Sequence, residues 1–435
     1  MTSSRPVSDD AHPLATDPSE STPLLQWDDA AELEAGSSSQ DPPLLTAQPK
    51  RHLQCWASLP PALRKTILVI FIFLASLFSV FALLATPWHP RAPPSFPLDG
   101  SVPIPVLPAT GARILAYNFY LRPPPIQYEW HADYKQARLG HFIQTALDQF
   151  DIMAMSETFG TLTSRRSRLI DAAAKKGLKY WAHGPERNWW RGKMVDSGLL
   201  VLSRYPIVKS DAIEYVVGTG PDSWAAKGIL YTQILVTDKH HRESRIHLFT
   251  SHLQATYIKN ENGDDLYSEA ATIRVQQFNL MRSYIAGSLV DNNYNATTDA
   301  VLMAGDFNVP GAPFGWQPEK DSREYLRMLE TLRQDNGTVV DVLRKAASEQ
   351  VPTWHPWAQM IGDQDPTETD DPQAPGKRLD YLLQWHKDLP STPSQPMLRL
   401  SVNDTGLQPF KVKGESFKQL SDHTGVRSVL RMHHP

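Results

Sequence analysis

The chain has 435 residues, 41% of them hydrophobic, a formal net charge of −4 and one cysteine, Cys55. That length holds one large domain or two ordinary ones, with enough apolar residues for a sizeable core. The acidic balance weighs against a nucleic-acid binder that relies on a basic surface, and a lone thiol excludes an intrachain disulfide.

Residues 1–62 are rich in Ser, Pro, Asp and Glu, with little periodic apolar content, and are predicted to be a disordered tail. Two short segments stand out in it, Glu20-Ser21-Thr22-Pro23-Leu24-Leu25 and Asp41-Pro42-Pro43-Leu44-Leu45. Both look like dileucine sorting signals that adaptor proteins read, although Leu-Leu pairs also arise by chance. Residues 66–85 carry no charge, and about 20 apolar residues in a helix span ~30 Å, one bilayer core. A transmembrane helix over 66–86 is therefore predicted. It begins too far from Met1 and runs too long for a cleaved signal peptide, which makes it a signal anchor. Lys50, Arg51, Arg64 and Lys65 precede it and only Arg91 follows closely, so the N-terminus is expected in the cytoplasm and the larger part in the lumen or outside the cell. The dileucine-like pairs point to a Golgi, endosomal or vacuolar route. Cys55, near the cytoplasmic end of the span, is either a palmitoylation position or a bystander thiol. Residues 87–108 are a proline-rich spacer.

Residues 109–435 read as globular. Strands are predicted over 113–118, 151–155, 180–182, 197–203, 228–236, 245–251, 301–303, 379–383 and 426–430, and helices over 135–149, 164–176, 272–285 and 325–332. The irregular alternation, with some hairpins, fits mixed sheets covered by helices better than a simple doubly wound sheet.

Polar residues end or closely flank these strands: Asn118, Glu157, His252, Asp306, Asn308, Asp380, Asp422 and His423. Any one alone reads as a turn former or a hydrogen-bonded rim residue. Together they offer carboxylates, amides and imidazoles at strand ends, where a rigid scaffold gathers functional groups. That set suits a hard metal ion and a water nucleophile at a phosphate ester.

The local wording is more specific. Ser156-Glu157-Thr158, Asp196-Ser197-Gly198-Leu199, Ser203-Arg204-Tyr205-Pro206-Ile207, Ser251-His252-Leu253-Gln254, Gly305-Asp306-Phe307-Asn308, Leu379-Asp380-Tyr381 and Ser421-Asp422-His423 follow Asn118 in a fixed order. As a set they resemble the endonuclease/exonuclease/phosphatase superfamily. Gly220-Pro221-Asp222-Ser223-Trp224-Ala225-Ala226-Lys227-Gly228 and Gln254-Ala255 resemble its neutral sphingomyelinases, including the inositol phosphosphingolipid phospholipase C type. The resemblance implies an α/β fold: a four-layer, DNase I-like sandwich of two mixed sheets flanked by helices. It also implies a site dependent on Mg²⁺, with Mn²⁺ as a substitute, acting on a membrane sphingolipid at the bilayer and not on nucleic acid. In that reading Glu157 is the main metal ligand, with Asn118 nearby, and Asp422 touches the metal or shapes its loop. His423 is the base on the water, oriented by Asp380, and Asp306 positions the water. Asn308 and Lys227 meet the substrate phosphate, Asp222 holds or gates Lys227, and His252 stabilises the phosphorane-like charge or serves as acid to the leaving group.

The sequence departs from the bacterial secreted relatives, whose apolar aromatic hairpin before the final Asp-His enters lipid. Residues 402–420 here are polar, with Phe410 and Phe417 prominent. Trp189-Trp190 and Trp354-His355-Pro356-Trp357 are substitute lipid contacts, or ordinary packing. Residues 363–371 read as an acidic surface loop, and sequons at Asn295, Asn336 and Asn403 fit a lumenal glycoprotein. The head group stays open between choline and an inositol phosphate. Two other readings stand beside this one: a nuclease or inositol-phosphate phosphatase of the same superfamily, and a catalytically silent, membrane-tethered binding module.

Overall fold

The structure, a computed structural model, describes residues 59–85, 92–126, 133–257, 268–313, 315–333, 337–355, 376–387 and 399–433. The leucine pairs at 20–25 and 41–45, Cys55 and the insert at 363–371 lie outside them. The chain falls into two compact units, Met1–Ala75 and Ser76–Pro435. Helix α1 (Pro61–Ala85) contains a 21-residue stretch, Pro61–Phe81, of mean hydropathy 2.0 with none of it buried. By length and composition it can cross a membrane.

From residue 112 the chain builds two six-stranded sheets. The first contains β1 (Ala112–Asn118), β2 (Ile152–Ser156), β3 (Tyr180–His183), β4 (Leu200–Ser203), β11 (Arg399–Gln408) and β12 (Gly425–His433), in the order β11-β12-β1-β2-β4-β3. The second contains β5 (Ile207–Glu214), β6 (Gly228–Thr237), β7 (Glu243–His252), β8 (Ala300–Asp306), β9 (Gly337–Asp341) and β10 (Asp380–Lys387), in the order β5-β6-β7-β8-β10-β9. Both are mixed: β1–β2 and β7–β8 run parallel, and the other pairs antiparallel.

Strand periodicity explains the layering. In β1, Ile114 and Ala116 face the second sheet and share a core with Leu230, Ile246, Leu302 and Leu382. The alternate residues Leu115 and Tyr117 face outward, under α2 (Lys135–Thr145) and α3 (Arg165–Lys175), where Phe142, Leu169 and Ala173 cover them. On the far side, α4 (Glu269–Asp291) and α5 (Arg323–Leu332) bring Phe278, Met281, Tyr325 and Met328 onto Phe249, Met303 and Tyr381. Both sheets are thus covered on each face, the four-layer arrangement the motifs imply. Serine side chains cap α4 and α5, Ser268 accepting from Ala271 N and Ser322 from Tyr325 N. A five-residue helix, α6 (Val342–Ala346), follows β9.

Several predicted boundaries move. The strand expected over 197–203 begins only at Leu200, because Gly198 sits at φ +68° and breaks the extended path. The helix expected over 135–149 stops at Thr145 and gives way to a tight turn, Leu147–Gln149. Helix α4 runs from Glu269 to Asp291, beyond the expected 272–285. The segment 402–420 is no lipid-entering hairpin. Its first part is β11, and Phe410, Val412, Phe417 and Leu420 are buried against Tyr117 and Phe142. The fold needs those side chains inside.

Candidate active site

Register alone brings the polar strand ends together. Asn118 pairs with Ser156 across β1–β2, and His252 with Asp306 across β7–β8. Asp306 pairs in turn with Asp380, the first residue of β10. Ala116 opposes Val426, so His423 arrives just before β12 at the same sheet end. The close approach of β7 to β8 depends on Gly305, at φ +140°, where an added Cβ would lie 2.0 Å from Ser251 O.

Side chains then close the gap between the sheets. Asn118 Nδ2 donates to Glu157 Oε1 at 3.0 Å and to Asp306 Oδ2 at 2.9 Å, and Asn118 Oδ1 accepts from Tyr120 N. Glu157 and Asn308 both hold φ +53°, a conformation that costs a non-glycine residue about 1–3 kcal/mol and clusters at functional sites. Asn308 N donates to Asp306 Oδ1, while Asn308 Nδ2 donates to Leu253 O. His423 Nδ1 lies 2.7 Å from Asp380 Oδ2 and Nε2 lies 3.8 Å from Asp306 Oδ2. Asp380 Oδ1 is buried without a hydrogen-bond partner. On the other flank Lys227 Nζ, 2.9 Å from Asp222 Oδ2, donates to His252 Nε2 at 3.2 Å and to Leu253 O at 2.7 Å. His252 Nε2 is 3.5 Å from Asp306 Oδ2. Asp422 Oδ2 accepts from Trp354 Nε1, and its carbonyl from His355 N.

Crowded, buried carboxylates set the electrostatics. Burial, aided by the neighbouring Asp380 charge, lifts Asp306 to about 7 against the pull of His423, Asn118 and Lys227. Burial, with Glu157 beside it, lifts Asp422 to about 6. Burial draws His423 down, but Asp380, Asp422 and Asp306 together push it up to about 10. His252 lies well below the usual imidazole range, through burial and then the adjacent Lys227 and His423 charges. Among the described residues, Asp306, Asp380 and His423 form a group whose ligating atoms all lie within 4.8 Å and could hold a metal ion.

The sequence matches the endonuclease/exonuclease/phosphatase family over residues 127–423. The chain belongs to that family. It is 30% identical over 341 residues to a sphingomyelinase of Dictyostelium discoideum, covering 66% of this chain and 73% of that protein. It is 27% identical over 188 residues to a sphingomyelinase C of Bacillus cereus, covering 43% of this chain and 47% of that one. A beta toxin variant of Staphylococcus aureus, solved with bound magnesium ions, superposes with a TM-score of 0.50 at 20% identity, over 74% of this chain and 99% of that one. At that identity the likeness shows the fold.

This family member brings Asn118, Glu157, His252, Asp306, Asn308, Asp380, Asp422, His423, Asp222 and Lys227 to one sheet end. Asp196, quoted among the motifs, has different work. It is fully buried, and its Oδ2 accepts from Gly160 N, Thr161 N and Thr161 Oγ1 while its Oδ1 pairs with Arg166. Burial opposes its charge, yet Arg166 and these donors hold Asp196 below the ordinary carboxylate range. It fixes the loop after Glu157.

Sequence reading missed the residues that steady the site. Thr353 Oγ1 accepts the amides of Leu379 and Asp380, and Thr353 O accepts from Thr424 N. Arg138 donates to the carbonyls of Asp133, Phe119, Tyr120 and Leu420, all near the Asn118 and Ser421 turns. Arg378 Nε donates to Asp380 O, and its Nη2 donates to both Asp341 carboxylate oxygens at 3.0 Å. Both partners of that pair are buried. Arg378→Met strands the Asp341 charge, and chemical denaturation of the variant is expected to show a loss of about 3–5 kcal/mol. A Met side chain that restored full stability would show that this pair contributes packing alone.

Proposed function

We propose that the chain is a membrane-anchored, Mg²⁺-dependent phosphodiesterase of the phospholipase C type, which hydrolyses a sphingophospholipid to ceramide and a phosphorylated head group. The observation that best supports this is the meeting of Glu157–Asn118, the Asp380–His423 pair and the Asp222–Lys227–His252 row around the single carboxylate of Asp306. The sphingomyelinase names of the relatives support the substrate class.

The donor set fits a hard cation. Glu157 Oε1 accepts from Asn118, no described residue donates to Glu157 Oε2, and the Glu157 and Asp422 carboxylates supply oxygens. Glu157 and Asp422 would hold Mg²⁺, or Mn²⁺ in its place, while Asn118, named as a ligand by the resemblance, turns its Nδ2 to Glu157 and gives its oxygen to Tyr120 N, and so orients Glu157 instead. When bound, the cation supplies positive charge that offsets the crowded carboxylates and the phosphoryl oxygens.

The chain's own residues do the rest. His423 directs Nδ1 to Asp380 and turns Nε2 toward Asp306; the surrounding carboxylates hold a proton on the ring in the free site, and once that proton is lost Nε2 takes one from a water held between it and Asp306. Asn308 and Lys227 offer donors and charge to the phosphoryl oxygens, with Lys227 kept in place by Asp222. His252 is kept neutral in the free site by burial and by Lys227. An arriving phosphodiester monoanion offsets the Lys227 charge and favours the protonated form that serves the leaving alkoxide. Helix α1 anchors the chain in the bilayer with its N-terminus cytoplasmic.

The reading is tested on the full chain in detergent or nanodiscs, against sphingomyelin, inositol-phosphoceramide and DNA in parallel, with Mg²⁺ present or chelated. Hydrolysis of a sphingolipid that stops on chelation, with DNA untouched, is expected. DNA cleavage as fast as lipid cleavage overturns it in favour of a nuclease, and inactivity with every metal favours a silent binding module.

A further inference from the structure

Large apolar side chains stand exposed on three loops beside the site. Trp190 is 99% exposed, Val216 87% and Trp224 65%, and Trp189, Met194 and Tyr257 are exposed with them. Monomeric surfaces carry such side chains singly, and a group of them marks an interaction site.

The three loops form one rim. Met194 N donates to Trp224 O at 2.8 Å, Lys193 Nζ donates to Ser223 O, and Val195 bridges Ala225. Gln254 Oε1 accepts from Thr219 N, and its Nε2 donates back to Thr219 O. Gln277 Nε2 holds Val217 O from the helix behind. The rim is also joined to the candidate catalytic row. Tyr257 OH donates to Asp222 Oδ1 at 2.8 Å, and Asp222 Oδ2 accepts from Ala255 N and pairs with Lys227. Positive charge accompanies the apolar groups: Arg191 is exposed next to Trp190, and Arg187 lies 5.3 Å over the Trp189 ring.

We infer that this rim, formed by loops 188–195, 215–224 and 253–257, docks the site onto the interfacial layer of a lipid bilayer. Trp and Tyr settle where acyl chains meet head groups, and arginines beside them meet lipid phosphates. The occupant follows from what the rim adjoins, a row suited to a lipid phosphate, and from the burial of Phe410 and Phe417, which removes that aromatic segment from the surface. The inference rests on the phosphodiesterase reading only for its substrate, and the two are tested separately.

Two measurements use the full chain in nanodiscs containing sphingomyelin. In the first, brominated acyl chains quench tryptophan fluorescence, and Trp190→Phe with Trp224→Phe is expected to lower the fraction quenched. An unchanged fraction means that neither ring touches lipid and overturns the inference. In the second, Trp190→Ser with Val216→Ser is expected to lower sphingomyelin turnover about tenfold or more, because interfacial binding scales with buried apolar area. Turnover of water-soluble bis(4-nitrophenyl) phosphate is expected to stay unchanged. Equal turnover of bilayer substrate by parent and variant overturns the docking surface, as does an equal loss on both substrates. A parent that cleaves no phosphodiester sinks the proposed function instead, and the quenching result then decides the rim alone.

Discussion

Replacing His423 by Ala is expected to lower kcat on sphingomyelin by about 10²–10⁴-fold, the range for losing a positioned general base, with KM little changed. The geometry gives the reason. One imidazole nitrogen is committed to Asp380 at 2.7 Å and the other faces Asp306 at 3.8 Å, so proton acceptance and orientation reside in one ring. Asp380→Asn is expected to lose less, since the ring survives but its preferred tautomer does not. Residues that act as a unit give non-additive losses. The double variant Asp380→Asn with His423→Ala should therefore be no slower than His423→Ala alone. A further drop of an order of magnitude in the double variant would show that Asp380 works independently of the ring. Thermal unfolding of each variant separates a chemical loss from a folding defect. Activity that survives His423→Ala at near-parent kcat would remove this residue from the chemistry altogether.

How much of this was legible in the sequence depends on where each strand lies. The central strands β1, β2, β6, β7 and β8 are largely buried on both faces, so β1, β2 and β8 read as nearly continuous apolar runs and β6 and β7 as mainly apolar ones, and the polar residues that end them are placed by those runs. The strands missed are β5, β9 and β11, and all three are sheet edges. Ile-Val-Lys-Ser-Asp-Ala-Ile-Glu of β5 keeps a polar, half-exposed face, as an edge strand does to avoid pairing with other chains. In β11 the register slips between Asn403 and Gly406, which breaks the alternation a reader would look for. The site divides the same way. Residues on strand ends were readable only as a set, because each alone passes for a turn former or a rim residue while their fixed order along the chain does not. Thr353, Arg138 and Arg378 act through backbone carbonyls and amides distant in sequence, and nothing in their immediate neighbours signals that. Asp196 shows the converse, a motif residue whose neighbours in space make it a loop clamp. The aromatic rim was visible only as Trp189-Trp190, because its other members come from loops that meet through backbone bonds.

The second large effect concerns the cation. Chelation is expected to abolish hydrolysis and added Mg²⁺ to restore it. Glu157→Gln should raise the Mg²⁺ concentration needed for half-activity by more than about tenfold, since even a residue that only supports a ligand typically costs 10–100-fold in metal affinity. A readout independent of turnover is available, because a ligand that binds only the folded state stabilises it. At a hundred times its dissociation constant Mg²⁺ is worth about 2.7 kcal/mol, read as a rise in Tm. Two arrangements compete for the ion. The Glu157 and Asp422 carboxylates offer oxygens alone, whereas the tighter group of Asp306, Asp380 and His423 includes an imidazole already bonded to one of its carboxylates. A small hard cation prefers the former. The Mg²⁺-dependent rise in Tm should therefore shrink in Glu157→Gln, to about half for a tenfold loss of affinity, and persist in full in His423→Ala. The reverse pattern would place the ion at the histidine and leave the water without the base assigned to it.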